Sequence, residues 1–460
     1  MTIFFFLKSS IFYTIAFFLR FLFAFLAKLY LQFIKQLLPS KTYIMLRNLL
    51  FLLILIRTSV SCQPTNPQGE TYDPPNSTDT RTKQIEYQEK KTYQIDDIFI
   101  SNEFSGARLN NAYYGGKDTI ITVIKPENAP INKSAWFSFQ IWSETSKRVT
   151  IKLTYQDGEH RYIPKISRNG FIWNNAPKSN FHRDKENKKF AWLIVDIGEK
   201  PTWISAQELM TSEEIFNWMD KWADKKDFVS TKKIGESRLE APMRLMEIKE
   251  TNEKNMLLLI GRQHPPEITG QIAMHTFTET VMGDSDLAKN FRKKFQIYVF
   301  PLMNPDGVDN GHWRHSPGGI DLNRDWHKFR QPEVKAVTKF LTKEVKRKKL
   351  KVWYGFDFHS TGADVLYPIT EDIITKDNSI TYPWIESMKE RIPDDPWLIE
   401  PFDISSPICK NWIFRTFGAE AITYEVGDEV GRSYVQLKAR VAAEEMMRLL
   451  LIKIVEETNQ

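Results

Sequence analysis

Several side chains that could bind a metal ion follow apolar runs of the sequence. In GRQHPPE (261–267), His264 and Glu267 lie three residues apart across two prolines, directly after MLLLIG. A stiff loop could present this imidazole and this carboxylate to one ion, and zinc accepts both ligand types. His359, which ends the run VWYGFDFH, is available as a third ligand. Three protein ligands and a water form a catalytic zinc site, although a lone histidine at a strand end is more often structural.

Two further segments concentrate charged and polar side chains. The irregular stretch NPDGVDNGHWRHSPGGIDLNRDW (304–326) contains Arg314, and Asn323 and Arg324 near its end. An arginine and an asparagine there suit a carboxylate ligand, because the guanidinium fork can grip both oxygens. The alternative is a charged surface turn. In AITYEVGDE, Glu425 follows an otherwise apolar strand, where a carboxylate is costly to bury unless it has a partner or a task.

In this order, the segments resemble the zinc metallocarboxypeptidases. The family pattern is HxxE, then NPDG, an Arg and DxNR, then a zinc His that ends a strand and a catalytic Glu that ends another. The resemblance implies removal of C-terminal residues from peptides or proteins with one zinc ion. It implies that the zinc ligands are His264, Glu267 and His359, and that Glu425 is the general acid/base.

The same resemblance implies roles for the polar loop. Arg314 would polarise the scissile carbonyl and stabilise the oxyanion. Asn323 and Arg324 would hold the terminal carboxylate of the substrate. Asp321 would be the acid that orients the first zinc His from behind.

Within the family, the ten-residue gap from Arg314 to Arg324 and the β-rich module look most like the cytosolic-carboxypeptidase branch, whose members remove acidic residues from protein tails. The residue fifteen before the catalytic Glu lies at the base of the pocket for the released side chain, and here it is Lys410. A buried cation there would favour an acidic released residue. The alternative is that Lys410 points to solvent, as most lysines do.

One position departs from the family pattern. The mobile active-site tyrosine is expected some twenty residues before the catalytic Glu, where this sequence has Phe402 and Asp403. Tyr382 lies further upstream and is not aligned with it. The residue that takes this role is therefore left open.

The elements that must position these residues fall into two parts. Residues 85–230 alternate short β-rich runs with turn signals, which predicts a small all-β sandwich domain. Residues 231–460 alternate apolar runs with amphipathic helical stretches, which predicts an α/β layer fold. The resemblance implies a mixed open twisted sheet flanked by helices. The predicted buried strands are 256–261, 295–303, 352–359 and 421–426, and the candidate side chains lie just beyond strand ends, where open α/β sheets bind ligands.

The first 61 residues are apolar and carry seven basic and no acidic side chains. Their longest uncharged apolar stretches fall well short of the ~20 residues of a spanning helix. From Met45 the sequence resembles a bacterial lipoprotein signal that ends at Cys62. We therefore expect a leader over 1–61 with Met45 as the true start, lipidation of Cys62, a polar linker over 62–84, and a location on the membrane of a bacterial cell envelope. The alternative is that Cys62 is an ordinary thiol near a cleavage site.

The charge of the chain belongs to that leader. The formal net charge is +6, from 63 basic and 57 acidic residues, and without the leader 56 basic residues face 57 acidic ones. Nucleic acid is therefore not an expected partner, and peptide or protein C-termini are. Two alternatives stay open. One is a cell-wall peptidase that acts on γ-D-glutamyl bonds, and the other is a non-catalytic envelope lipoprotein that holds glycan or peptide. The intact set of candidate site residues favours an enzyme.

Overall fold

The computed structural model describes residues 84–458, apart from 130, 132–134, 371–372, 375–378 and 402–403. Cys62, the leader and nearly all of the predicted linker lie outside the described residues, as do Phe402 and Asp403. Among the helices of the described part, none is both long enough and apolar enough to cross a membrane.

Two sheets form the N-terminal part. The first has the order β1-β2-β5-β11-β7-β8 and the second the order β3-β4-β6-β10-β9. The strands are β1 (Thr92–Ile95), β2 (Ile98–Ser101), β3 (Asn111–Gly116), β4 (Thr119–Ile124), β5 (Ser138–Ser143), β6 (Lys147–Tyr155), β7 (Lys165–Ser167), β8 (Trp173–Asn175), β9 (Phe181–Arg183), β10 (Phe190–Ile197) and β11 (Thr202–Ser205). Alternate residues of β6 and β10 are buried, as expected of strands with one face on a core. The apolar faces share one core cluster, and the predicted β-sandwich is confirmed.

The C-terminal part is built on one seven-stranded sheet with the order β12-β13-β15-β14-β16-β18-β17. Its strands are β12 (Val229–Glu236), β13 (Pro242–Ile248), β14 (Asn255–Gly261), β15 (Phe295–Phe300), β16 (Lys351–Thr361), β17 (Val365–Tyr367) and β18 (Glu420–Gly427). The central strands β15, β14, β16 and β18 are parallel, and the outer pairs are antiparallel. The sheet is therefore mixed, as predicted.

Helices cover both faces of this sheet. They are α1 (Ser212–Lys225), α2 (Ile268–Val281), α3 (Asp286–Arg292), α4 (Pro305–Asp309), α5 (Pro332–Lys348), α6 (Thr381–Arg391), α7 (Cys409–Phe417) and α8 (Arg432–Thr458). Successive residues of β14 point to opposite faces: Leu257 and Leu259 pack with α2, α6 and α8, and Leu258 and Ile260 pack with α5 and α7. Both faces are thus buried, which is typical of parallel strands and explains their continuous apolar runs.

The helix α1 precedes the boundary expected at residue 230, yet it packs with the C-terminal sheet. Its N-cap is Thr211, which forms a capping box with Glu214. Met219 of α1 is fully buried in the same core cluster as α2 and α8. The sheet itself begins at Val229. The C-terminal part therefore starts before the expected boundary, at α1.

Candidate metal centre and active site

His264, Glu267 and His359 are buried, and their ligand atoms all lie within 4.8 Å of one another. His264 Nδ1 is 2.7 Å from Glu267 Oε1, and His359 Nδ1 is 2.8 Å from Glu267 Oε2. The first two residues belong to the loop between β14 and α2, and the third lies on β16. At Gly270, a side chain would collide with the backbone of His359, so this glycine allows α2 to approach β16 closely.

Each of the two imidazoles has a carboxylate on its other nitrogen. His264 Nε2 is 2.8 Å from Asp321 Oδ1, and His359 Nε2 is 3.0 Å from Asp357 Oδ2. At His264, the carboxylate holds the proton on Nε2 and aims the lone pair of Nδ1 inward, at the cluster. At His359, Asp357 lies within ion-pair distance and favours the same orientation of the ring. Two imidazole nitrogens and one carboxylate oxygen are a zinc donor set. The residues present therefore fit the metal that the sequence predicts.

The cluster is strongly charged although it is buried. Burial by itself raises the pKa of Glu267, but His264 and His359 outweigh it and hold that pKa far below its ordinary value. In the same way, burial opposes ionisation of Asp321, and Arg314 and His264 keep its pKa well below the usual range. Both carboxylates are therefore ionised at neutral pH, as a ligand and its supporting acid must be.

Glu425 lies next to the metal cluster. It pairs with His359 in the parallel ladder of β16 and β18, so the two side chains leave the sheet on the same side. Its Oε2 atom is buried and has no hydrogen-bond partner among the described residues. Burial and the charge of Glu267 raise its pKa to about 7, against the opposing effect of His359. A carboxylate that exchanges its proton near neutral pH is suited to general acid/base chemistry.

Asp321 connects the metal cluster to Arg314. While its Oδ1 faces His264, its Oδ2 accepts a 2.7 Å hydrogen bond from Arg314 Nε. Arg314 is thereby held beside the cluster through its Nε atom. Arg324 is exposed and donates from Nη1 to the carbonyl of Asn323 at 2.9 Å. An exposed guanidinium beside the cluster is placed to meet an anionic group from solvent.

Asn323, predicted to hold the substrate carboxylate, is buried and engaged within the protein. Its Oδ1 accepts a 2.9 Å hydrogen bond from the backbone N–H of Cys409, and its Nδ2 is 3.1 Å from His359 Nε2. Both ends of the amide therefore contact protein groups. This places Asn323 beside His359, a candidate metal ligand, whereas Arg324 stays open to solvent.

Lys410, at the start of α7, is fully buried. Its Nζ donates a 2.7 Å hydrogen bond to the carbonyl of Pro368. The alternative that this lysine points to solvent is therefore excluded. The neighbouring Cys409 contacts Asn323 through its backbone, so α7 begins against the candidate site. Burial raises the pKa of the Cys409 thiol far above its usual range, which removes it as a nucleophile.

The structure adds supporting residues that the sequence did not indicate. Glu127, from the sandwich, accepts hydrogen bonds from the backbone N–H groups of Trp313, Arg314 and His315 at 2.7, 2.9 and 2.6 Å. It is 187 residues from Arg314, so spacing gives no signal for it. Asp357 could have been found, because it lies two residues before His359 on one strand and faces the same side.

Part of the chain is similar in sequence to known carboxypeptidases. Residues 215–396 match the family model described as zinc carboxypeptidase. The chain is similar to cytosolic carboxypeptidase 6 of Caenorhabditis elegans, with 33% identity over 110 residues, which are 23% of this chain and 24% of the relative. The same protein of Mus musculus is 22% identical over 263 residues, 52% of this chain and 48% of the relative. The chain thus spans about half the length of these curated relatives or less.

Solved structures share the fold. A metallo-carboxypeptidase from Burkholderia cenocepacia superposes with a TM-score of 0.63 at 17% identity, covering 78% of this chain and 99% of that one. A metallo-carboxypeptidase from Pseudomonas aeruginosa gives 0.61 at 17% identity, covering 76% and 98%. These shares are too large for the C-terminal sheet alone, so the likeness includes strands of the sandwich. By sequence, residues 215–396 match the model of the zinc carboxypeptidase family, and by structure the chain shares the fold of metallo-carboxypeptidases.

Proposed function

We propose that this chain is a zinc-dependent carboxypeptidase that hydrolyses the C-terminal bond of peptides or proteins. The observation that carries the proposal is the cluster of His264, Glu267 and His359 within 4.8 Å, with Glu425 opposite His359 on the adjacent strand. Zinc bound by these three side chains would polarise the scissile carbonyl and acidify a water molecule. The protein groups around it would do the rest of the chemistry.

Three of these groups have separate tasks. Glu425 accepts a proton from the attacking water and returns it to the leaving amine, as its pKa of about 7 allows. Arg314, held by Asp321, meets the negative charge that develops on the carbonyl oxygen in the transition state, where an electrostatic contact raises turnover. The exposed guanidinium of Arg324 grips the free carboxylate of the peptide end, which restricts cleavage to the last residue.

The released residue would be acidic. Lys410 is fully buried, and its ammonium group donates a hydrogen bond to the carbonyl of Pro368, so its positive charge lies inside the protein. In a medium of low dielectric, such a charge attracts a carboxylate much more strongly than it would in water. The start of α7 also contacts Asn323, beside His359, so the ammonium lies on the element that borders the site. An aspartate or glutamate side chain at the peptide end would complement it.

The test is digestion of a peptide panel, with and without chelator, read by mass spectrometry. The panel contains matched peptides that end in Glu, Asp, Leu or Lys, and one peptide with a γ-D-glutamyl bond. We expect stepwise release from the C-terminus that stops on chelation and returns with zinc. Glu425→Gln, which keeps the shape of the side chain, should lower turnover by about 10²-fold or more without loss of zinc. Internal cleavage, or full turnover in Glu425→Gln, would contradict the proposal, and hydrolysis of the γ-D-glutamyl bond alone would favour the cell-wall alternative.

A further inference from the structure

The loop that carries Arg314 packs into the β-sandwich. Trp313 is only 1% exposed, and its ring belongs to the core cluster of the sandwich. At Gly158, in the turn after β6, a side chain would collide with this ring. At Gly311, which has a positive φ of 62°, a side chain would collide with the carbonyl of Ala107. The sandwich backbone at Gly158 therefore lies against the Trp313 ring, and the loop backbone at Gly311 lies against Ala107, each more closely than a residue with a side chain would allow.

Glu127 satisfies three consecutive backbone donors of this loop. Its Oε2 accepts from the N–H of Trp313 at 2.7 Å, and its Oε1 accepts from those of Arg314 and His315 at 2.9 and 2.6 Å. The carboxylate is fully buried. Burial would raise the pKa of Glu127, but the nearby histidines and Arg108 hold it below its ordinary value, so the group is ionised. Hydrogen bonds to a buried, charged acceptor are about twice as strong as neutral ones.

Asn128 fixes the same loop on the far side of Arg314. Its Oδ1 is 2.6 Å from His315 Nδ1, and its Nδ2 donates to the carbonyl of Gly319 at 3.3 Å. Two adjacent sandwich residues thus hold the loop at four of its residues. The side chain of Arg314 is held separately, from the C-terminal part, by Asp321. The position of the guanidinium relative to the metal cluster therefore depends on both parts of the protein.

We infer that Glu127 is a positioning residue for Arg314, and that the β-sandwich thereby completes the catalytic centre. The inference rests on the proposed function, since it gives Arg314 its task. A transition-state contact requires a fixed donor, and a displacement of about 1 Å can cost about 10²-fold in rate. Three bonds from one rigid carboxylate to the backbone of residues 313–315 supply that fixation. Glu127 touches no reacting atom, and it acts only through the loop.

Glu127→Gln tests this with a side chain of the same shape. The amide oxygen can replace one carboxylate oxygen, but the amide nitrogen then faces an N–H donor and that bond is lost. We expect kcat on a good peptide to fall about tenfold or more, with KM changed by less than about twofold, because Arg314 acts in the transition state. Zinc content should stay at one per chain. The matched control is Glu208→Gln. Glu208 accepts hydrogen bonds from Arg432 Nε and Nη2 at 2.8 and 2.7 Å, away from the Arg314 loop. The kcat of this control variant should equal that of the wild type.

A double-mutant cycle separates positioning from general damage. In an Arg314→Ala background, Glu127→Gln should cause no further loss, because the group that it positions is gone. An equal loss in both backgrounds, or an equal loss in Glu208→Gln, would overturn the inference.

Amide hydrogen exchange gives a readout that does not depend on activity. In Glu127→Gln, the amides of residues 313–315 should exchange faster than in the wild type, while those of β14 and β16 should not. Unchanged exchange at residues 313–315 would refute the anchoring role of Glu127 even in an active enzyme. If the wild-type protein hydrolysed no peptide, the proposed function would fail, and the exchange result would still decide whether Glu127 holds the loop.

Discussion

Replacing Asp321 with asparagine tests a side chain that serves both the metal cluster and Arg314. One of its oxygens is 2.8 Å from His264 Nε2, and the other accepts from Arg314 Nε at 2.7 Å. Asparagine keeps the shape but loses the charge, and its amide nitrogen can accept from neither partner. Because His264 and Arg314 both donate a hydrogen bond to this side chain, and asparagine has only one oxygen to accept them, one of the two hydrogen bonds must be lost. We therefore expect two defects that can be measured separately.

The first defect is in zinc affinity. Loss of the carboxylate behind a metal-binding histidine typically weakens metal binding 10–100-fold, which corresponds to about 1.4–2.7 kcal/mol. The second defect is in turnover and should persist at saturating zinc, because Arg314 loses the acceptor that fixes its guanidinium. Misplacement of such a group makes a loss of about tenfold or more the expected result. Zinc affinity would be measured by competition with a chromogenic chelator, and kcat at zinc saturation by peptide hydrolysis.

Asp357→Asn is the matched control. Asp357 is 3.0 Å from His359 Nε2 and accepts from Gln263 Nε2 at 2.7 Å, and among the described residues it forms no hydrogen bond with Arg314. The Asp357→Asn variant should therefore bind zinc more weakly than the wild type, but its kcat should equal the wild-type value when zinc is saturating. If Asp321→Asn also recovered fully at saturating zinc, the anchoring of Arg314 through Asp321 would be wrong. If neither variant bound zinc more weakly, the argument from the outer carboxylates would fail. Thermal unfolding of both variants would show that each still folds.

Three further predictions concern specificity, pH and location. Lys410→Met should lower the preference for Glu over Leu at the peptide end by roughly 30-fold or more in kcat/KM, and an unchanged ratio would remove Lys410 from the pocket. Glu333 is fully buried in the first turn of α5, and burial raises its pKa to about 7 from 4.5. Because the folded protein holds this proton more tightly than the unfolded chain does, the free energy of unfolding should fall by about 3 kcal/mol at most as the pH rises from about 4.5 to about 7. In Glu333→Gln, which has no proton to lose, the free energy of unfolding measured with urea should depend less on pH over that range. Cys62→Ser should move the protein from the membrane to the soluble fraction of the cell, and an unmodified Cys62 in the native protein, seen by mass spectrometry, would contradict the lipid anchor.

The buried strands could be predicted from the sequence because they are buried on both faces. The apolar runs 256–261, 295–303, 352–359 and 421–426 correspond to β14, β15, β16 and β18, which are the parallel centre of the sheet. The outer strand β12 has the sequence VSTKKIGE, with most of its residues partly or fully exposed. An edge strand of that polarity contains no apolar run, so the sequence did not indicate β12. For the same reason it did not indicate that α1, which precedes β12, belongs to the C-terminal part.

The same reasoning separates the site residues that the sequence indicated from those it missed. His264, His359 and Glu425 each follow or end a buried apolar run, and parallel strands bring their carboxyl ends to one edge of a sheet. That Asn323 holds the substrate carboxylate stays a prediction, whereas its hydrogen bond with the backbone of Cys409 depends on the position of α7, which no local pattern determines. Contacts that depend on how distant elements pack cannot be read from spacing along the chain.

The Arg314 loop shows why the two parts should be treated as one catalytic unit. Buried backbone N–H groups need acceptors, and a buried carboxylate needs donors or a cation. In the loop at residues 313–315, three such N–H groups meet the carboxylate of Glu127, so each part satisfies a requirement that the other part creates. Of the candidate zinc ligands and Glu425, His359 and Glu425 lie on paired strands of the sheet, and His264 and Glu267 lie in the loop that directly follows β14. Under the proposed function, the sandwich is therefore expected to matter most for the step assigned to Arg314, the stabilisation of charge on the scissile carbonyl, and least for metal binding.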